Sequence, residues 1–168
     1  SGFEDFGIYV SENRYDSNPS PAPIVQDVDL SSVSRPTPRS SNGTAEACLW
    51  IGVSAAVERV RVRDCAWMGV WTGSTNANGV YRHIDAHRPP VGLYLEHYTT
   101  NGSFRQMKVG PSVDTGVICE WADPEWQNRP GCNGNVIEDS TFDTRRIGVY
   151  LDEGTPAVTV RGCVFRNQ

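Results

Sequence analysis

Apolar residues recur along this chain in two short patterns that alternate with each other. In the first pattern, a small residue precedes an apolar residue, and the position after that is usually aromatic. Its six copies begin at Gly7, Cys48, Gly69, Gly92, Gly116 and Gly148. In the second pattern, three apolar residues are separated by two free positions and then by one. Its six copies are Val25/Val28/Leu30, Val62/Cys65/Trp67, Tyr81/Ile84/Ala86, Phe104/Met107/Val109, Ile137/Ser140/Phe142 and Val160/Cys163/Phe165.

This alternation predicts a repeat protein built from strands. The heavy use of Val, Ile, Tyr, Trp and Phe favours strands, and helical amphipathic spacing is absent over any useful length. The units are too short for a strand–helix–strand repeat, and none can bury its own apolar face, which indicates a solenoid. We therefore predict an all-β fold, a right-handed parallel β-helix solenoid of about six coils, with stacked strands about 4.8 Å apart.

The domain organisation follows from the same repeat. Residues 1–168 are predicted to form a single β-helix domain with long loops at 11–24, 31–47 and 121–134. Long loops on a rigid scaffold are a frequent place for function. No cap is evident at either end, and open β-helix ends expose unpaired strand edges. We therefore expect a fragment of a longer solenoid, or ends that are covered by self-association or by flanking domains.

Two segments carry a resemblance to a known architecture. Residues 135–142 (Asn-Val-Ile-Glu-Asp-Ser-Thr-Phe) and 158–165 (Val-Thr-Val-Arg-Gly-Cys-Val-Phe) resemble the parallel β-helix repeat of the pectate-lyase-like superfamily. The resemblance covers roughly residues 7–165 and implies the right-handed fold. The superfamily includes lyases, glycosidases, epimerases, phage tailspikes and adhesins, so the fold leaves the activity open. The Asn-Thr-Asp and Gly-His-Gly motifs of polygalacturonases are absent from this sequence.

The candidate catalytic residues form a predicted acidic row. Two residues beyond each first-pattern aromatic, on the same strand face, lie Ser11, Gly52, Gly73, Glu96, Glu120 and Asp152. Glu96, Glu120 and Asp152 would stack roughly 5 Å apart, where they could bind Ca²⁺ or act as a carboxylate pair in glycoside hydrolysis. The alternative is a solvated acidic ladder relieved by neighbouring arginines. His97 follows Glu96 and is either a general acid or base for this row or a surface residue.

The candidate binding residues are aromatic. Tyr9, Trp50, Trp71, Tyr94, Ile118 and Tyr150 occupy equivalent positions of the first pattern. Beside the carboxylates, Trp71, Tyr94 and Tyr150 resemble a sugar-binding strip, to which Trp121 and Trp126 of the long loop would add. The alternative is that the rings cover the sheet and stack on one another. A polysaccharide is therefore the predicted partner.

Charge and cysteine content narrow the function classes. The net charge of −5 makes nucleic-acid binding a poor hypothesis. The sequence contains no apolar run of 18 residues, so membrane insertion is not expected. A second row, Arg63, Arg82, Arg105, Glu138 and Arg161, either faces an acidic polysaccharide or forms a salt-bridge ladder. Among five cysteines, Cys119 and Cys132 could bridge a loop, one thiol at least stays free, and Cys65 and Cys163 are predicted as small core residues.

These features support two competing functions. The leading hypothesis is a secreted or cell-surface β-helix that binds a polysaccharide, with lyase or glycosidase cleavage left open. The alternative is a non-enzymatic structural or adhesive β-helix module, such as part of a tailspike, fibre or surface protein. Apart from Ca²⁺, no cofactor is expected.

Overall fold

The computed structural model describes residues 6–10, 22–31, 47–96, 99–120, 131–152 and 157–167. These residues form no helix, and their 13 strands belong to one sheet in which every pairing is parallel and which does not close on itself. The strands are β1 Phe6–Val10, β2 Ile24–Ser31, β3 Ala47–Val53, β4 Ala56–Arg63, β5 Met68–Thr75, β6 Val80–His87, β7 Val91–Leu95, β8 Ser103–Arg105, β9 Lys108–Cys119, β10 Val136–Glu138, β11 Thr141–Leu151, β12 Thr159–Arg161 and β13 Val164–Arg166. The all-β prediction is confirmed, and the topology is consistent with a β-solenoid.

The two sequence patterns lie on two separate sets of stacked strands. First-pattern residues stack through β1, β3, β5 and β7 and continue onto the second halves of β9 and β11. Second-pattern residues stack through β2, β4 and β6, and then through β8 to β13. Non-consecutive strands therefore become neighbours, as stacked repeats require.

Apolar columns between the stacked strands form the core. One column runs Val25, Val57, Tyr81, Phe104, Ile137 and Val160 in register. Within it, the rings of Tyr81 and Phe104 stack with their centroids 4.6 Å apart. Ser140, predicted to need a buried partner, donates to the Glu138 carbonyl at 2.8 Å and accepts from the Met107 amide at 3.1 Å. These hydrogen bonds satisfy its hydroxyl inside the core.

One copy of the second pattern was predicted wrongly. Val57, Val60 and Val62 of β4 occupy the three columns, since they pair with Tyr81, Ile84 and Ala86. The predicted copy Val62/Cys65/Trp67 has the same spacing but begins five residues too late. Spacing alone could not separate the two choices because Val62 fits both.

A backbone bend recurs at the same position of every second-pattern copy. Its residues have positive φ, between 52° and 62°, and are Asp27, Arg59, His83, Gln106, Asp139 and Gly162. Only glycine adopts this conformation without a steric cost. The bend turns the chain between the first and second apolar residues and leaves these side chains on the outer surface.

The predicted loops fall largely outside the described residues, which lack 11–21, 32–46 and 121–130. Within the part of the chain that is described, no helix is long and apolar enough to cross a lipid bilayer.

Candidate functional site

The predicted aromatic row is in register. Trp50 pairs with Tyr9 on one side and Trp71 on the other, and Tyr94 pairs with Trp71 and Ile118. Tyr150 completes the row by pairing with Ile118. The six positions therefore form one continuous line across the stacked strands, as the sequence predicted.

The rings of this row contact one another and also face solvent. Tyr9 lies flat on Trp50 with centroids 4.2 Å apart, and Trp71 meets Trp50 edge-on at 5.9 Å and Tyr94 at 6.4 Å. Tyr9 is 56% exposed and Tyr150 42%, whereas Trp50 is buried and Trp71 and Tyr94 are half-buried. The row thus covers part of the sheet and still presents ring surface at both ends.

The predicted acidic row is also in line. The backbone amides of Glu96, Glu120 and Asp152 donate to the carbonyls of Thr72, Leu95 and Cys119 at 2.9, 2.9 and 3.0 Å. These bonds continue the parallel ladder beyond the strand ends, so the three carboxylate residues lie in one column at the interstrand spacing of about 4.8 Å. All three are half-buried.

Each carboxylate of the column receives a hydrogen bond from an aromatic side chain. The Trp71 indole N–H donates to Oε2 of Glu96 at 3.1 Å, and the Tyr150 hydroxyl donates to Oδ1 of Asp152 at 3.3 Å. The Tyr94 hydroxyl bonds to Glu120 in the same way. We call these six residues the aromatic–carboxylate face.

The electrostatics of this face are visible at Tyr94. Burial raises the pKa of its hydroxyl well above the ordinary 10.0, and the charge and hydrogen bond of Glu120 raise it further. The charges of Glu96 and Asp152 act in the same direction. Tyr94 therefore stays a neutral hydrogen-bond donor within a concentrated negative potential.

Two glycines make room for this arrangement. A Cβ atom at Gly73 would overlap Oε2 of Glu96, and one at Gly52 would overlap the ring of Trp50. The Trp50 ring therefore packs directly over Gly52, and the Glu96 carboxylate packs directly over Gly73. The sequence register indicates this position, although it does not predict what lies over it.

Buried anchors lie close in the chain to Glu96 and Glu120 of the carboxylate column. Cys119 and Cys132 form the disulfide that the sequence left open, with 5.8 Å between their Cα atoms. Asn135, which the sequence analysis missed, donates to the carbonyls of Thr99 at 2.6 Å and Cys132 at 2.9 Å and accepts from the Gly102 amide at 2.7 Å. This buried amide ties the segment after Cys132 to Thr99 and Gly102.

The structure describes only some of the predicted site residues. His97, Trp121 and Trp126 lie outside the described residues. Within the described ranges, no group of three or more His, Cys, Asp or Glu side chains is arranged to hold a metal ion. Calcium at Glu96, Glu120 and Asp152 therefore gains no support from the geometry and stays a prediction.

In the predicted basic row, Arg105 and Arg161 pair with Glu138, and one member of the row was predicted wrongly. Arg82, Arg105, Glu138 and Arg161 are in register, but the position predicted for Arg63 belongs to Glu58. Arg63 is instead the last residue of β4, where it pairs with Asp29 at 2.9 Å. The error has the same origin as the shifted copy of the pattern, because Arg63 was placed relative to Val62.

Cys65 is buried in the core, as predicted, but it does not fill the predicted column. It forms a disulfide with Cys48, with 5.6 Å between their Cα atoms. Val60 fills that column in its place. Cys163 is the free cysteine, as its predicted core position allows.

No protein-family model, no curated protein and no solved structure matches this chain.

Proposed function

We propose that this protein is a carbohydrate-binding member of the pectate-lyase-like superfamily, a right-handed parallel β-helix of about six coils that acts outside the cell. The aromatic–carboxylate face would bind a polysaccharide laid across the stacked strands. The observation that carries this proposal is the line of rings in which Trp71, Tyr94 and Tyr150 each have a carboxylate as a hydrogen-bonded neighbour.

The repeat geometry supports the fold proposal. In both strand sets the pattern residues stay aligned from the first copies to the last, and the bend recurs at six equivalent positions. Right-handedness follows the general rule for crossovers between parallel strands of one sheet. Two disulfides favour an oxidising compartment, hence a secreted or cell-surface location.

The chemistry of the face supports polysaccharide as its ligand. Exposed ring surface offers stacking to the apolar faces of sugars, and carboxylate oxygens accept hydrogen bonds from sugar hydroxyls. At the interstrand spacing of about 4.8 Å, Trp71, Tyr94 and Tyr150 would present ring surface to a ligand laid across the strands, and Glu96, Glu120 and Asp152 would present carboxylates beside them. Glu96 and Glu120 are neighbours in the column, and the backbone spacing of about 4.8 Å is close to the roughly 5 Å between the two carboxyl groups of retaining glycosidases.

A structural or adhesive module is the second candidate, and one observation favours it. The carboxylates of Glu96, Glu120 and Asp152 are bonded to Trp71, Tyr94 and Tyr150 of the same face. Groups held by internal hydrogen bonds can serve the cohesion of the surface itself. In this case the face would stabilise the solenoid without recognising a glycan.

The deciding experiment is a binding and cleavage screen of soluble polysaccharides, with and without Ca²⁺. Tyr150→Ala removes a 42% exposed ring, and we expect it to weaken glycan binding by roughly tenfold, the equivalent of about 1.4 kcal/mol. The matched control is Trp67→Ala, which removes a 40% exposed ring that is outside the row. Equal losses in the two variants would contradict binding at the aromatic–carboxylate face.

Cleavage is tested in the same screen by the appearance of new reducing ends. If the protein is an enzyme, Glu120→Gln should abolish cleavage and keep most of the binding, because it keeps the shape of the side chain. Unchanged cleavage in this variant would remove the acidic column from the mechanism. Failure of the wild-type protein to bind any glycan would favour the structural module.

A further inference from the structure

A second surface feature lies at the bend of the second-pattern strand set, and it contains no residue of the aromatic–carboxylate face. It is a cavity of about 240 Å³ lined by Arg59, Val60, Arg61, His83, Ile84, Asp85, Gln106 and Lys108. The lining comes from equivalent positions of three successive copies of the second pattern. We call it the bend groove. Its polar lining contains three cationic side chains and one carboxylate.

The backbone explains why these side chains converge. Arg59, His83 and Gln106 have φ values of 52°, 53° and 54° and follow one another in the column of bends. All three side chains are on the outer surface. The next outward position of each copy holds Arg61, Asp85 and Lys108, which are in register. Two neighbouring columns of polar side chains therefore flank one groove.

The ion pairs leave one cation of the groove uncompensated. Asp29, Arg61, Asp85 and Lys108 form a ladder of alternating charge in register. The Asp85 carboxylate, however, lies 3.4 Å from Arg61 and 2.6 Å from His87 through different oxygens. Lys108 is exposed and takes part in no ion pair with the described residues. Its ammonium group stands at the end of the ladder, because the next position in register is Thr141.

Two further donors point to the same kind of ligand. The side chains of His83 and Gln106 make no hydrogen bond to any described residue, and both line the groove. The guanidinium of Arg59, in contrast, is held by Asp27 at 2.6 and 3.0 Å. The groove thus combines an uncompensated ammonium with two side chains that can donate hydrogen bonds, which is the chemistry that recognises an oxyanion.

We infer that the bend groove is a binding site for an oxyanion, a sulfate, phosphate or carboxylate group carried by a larger ligand, with Lys108 as its main cation. His83 and Gln106 supply further hydrogen bonds. A second cavity of about 450 Å³ adjoins the groove at Asp85 and Lys108 and extends to Arg166. It gives room for the part of the ligand that carries the charged group.

The test is a titration followed by the backbone amide NMR shifts of residues 59–61, 83–85 and 106–108. Sodium sulfate is added at constant ionic strength, balanced with sodium chloride. Glucose 6-sulfate and glucuronic acid are then compared with neutral glucose. We expect saturable shifts of these amides with sulfate and with at least one of the two charged sugars, and none with glucose. Saturable shifts with inorganic sulfate but with neither charged sugar would contradict the proposal that the oxyanion belongs to a larger ligand.

Variants locate the site. Lys108→Gln should weaken sulfate binding about tenfold, as expected for loss of one charge-assisted hydrogen bond. His83→Asn should weaken sulfate binding less, because Asn tolerates the left-handed backbone and still carries an N–H donor, although on a shorter side chain. The control is Arg146→Gln, which removes an exposed positive charge that lines neither cavity. Equal affinity in Lys108→Gln and wild type, or an equal loss in Arg146→Gln, would overturn the proposal.

The result is independent of the aromatic–carboxylate face. Tyr150→Ala should leave sulfate binding unchanged, because Tyr150 lies in the other strand set. Loss of glycan binding to the aromatic–carboxylate face therefore says nothing against the bend groove. A sulfate affinity that falls in Tyr150→Ala as much as in Lys108→Gln would contradict a separate site.

Discussion

At the scale of single residues, Glu138 carries the best-defined electrostatic role in the molecule. Its side chain is only 6% exposed, and it is paired with Arg105 on one neighbouring strand and with Arg161 on the other, the latter at 2.6 Å. A buried carboxylate is costly unless such partners compensate it. The hydrogen bond from Arg161 lowers the pKa of Glu138 below its ordinary 4.5, and the positive charges of Arg105 and Arg161 add to this effect.

The lowered pKa predicts how the stability of the fold depends on pH. The stabilisation from ionised Glu138 is complete above pH 4.5, its ordinary pKa, and is lost as the pH falls through the lower folded-state value. Glu138→Gln should therefore be less stable than wild type near neutrality, and the difference should shrink in acid. Urea unfolding of both proteins between about pH 3 and pH 7 measures this difference.

A neighbouring carboxylate gives the matched control. Asp139→Asn removes an exposed acid one residue away, and Asn accepts the left-handed backbone, where φ is 52°. Asp139 takes part in no ion pair with the described residues, so Asp139→Asn should change the free energy of unfolding near neutrality less than Glu138→Gln does. A Glu138→Gln difference that stays constant from neutral pH into acid would show that the ion pairs do not stabilise the folded state.

At the scale of the strands, a column of glycines sets how closely the repeats approach. A Cβ atom at Gly69 would lie 2.7 Å from the Gly92 carbonyl oxygen, and one at Gly92 would lie 2.7 Å from that of Gly116. Gly116 stands in the same relation to Gly148. Backbone oxygens cannot move aside as flexible side chains can, so these positions require the absence of a Cβ atom.

The glycine column predicts a large loss of stability for a small substitution. Gly92→Ala should lower the free energy of unfolding by about 1–3 kcal/mol, because the new methyl group forces neighbouring strands apart. Thr115→Ser, adjacent to the column, is the control and should cost less than about 1 kcal/mol. Denaturant unfolding measures both. An unchanged stability of Gly92→Ala would mean that the strands do not approach as closely as described.

Strand existence and most of the register follow from the sequence, because apolar columns repeat at equivalent positions. The aromatic row and the carboxylate column were predicted residue by residue. The error at Val62/Cys65/Trp67 shows the limit of this approach. Local spacing fitted two alignments, and only pairing with β2 and β6 selects Val57, Val60 and Val62. The groove and the bonds from aromatic donors to carboxylates could not be predicted, since they depend on side-chain directions.

At the scale of the whole molecule, the stacked strands and two disulfides constrain the chain at different ranges. Strand columns join residues from successive repeats, whereas the disulfides close short segments. Cys48 and Cys65 are 17 residues apart and Cys119 and Cys132 are 13 residues apart. A disulfide that closes a loop of this size stabilises a fold by about 3 kcal/mol, because it restricts the unfolded chain. Cys48 lies in β3, which pairs with the Trp71 strand β5, and Cys119 ends β9 directly before Glu120 of the aromatic–carboxylate face.

The cysteine pairing predicts the thiol count of the protein made in an oxidising compartment. Of its five cysteines, only Cys163 is free, so the denatured, unreduced protein should titrate one thiol and the reduced protein five. Peptide mapping should recover the pairs Cys48–Cys65 and Cys119–Cys132. Replacing Cys119 and Cys132 together by Ser should lower the melting temperature, whereas Cys163→Ser should abolish the thiol signal and cost much less stability. Five reactive thiols in the unreduced protein would contradict both the pairing and the extracellular location it supports.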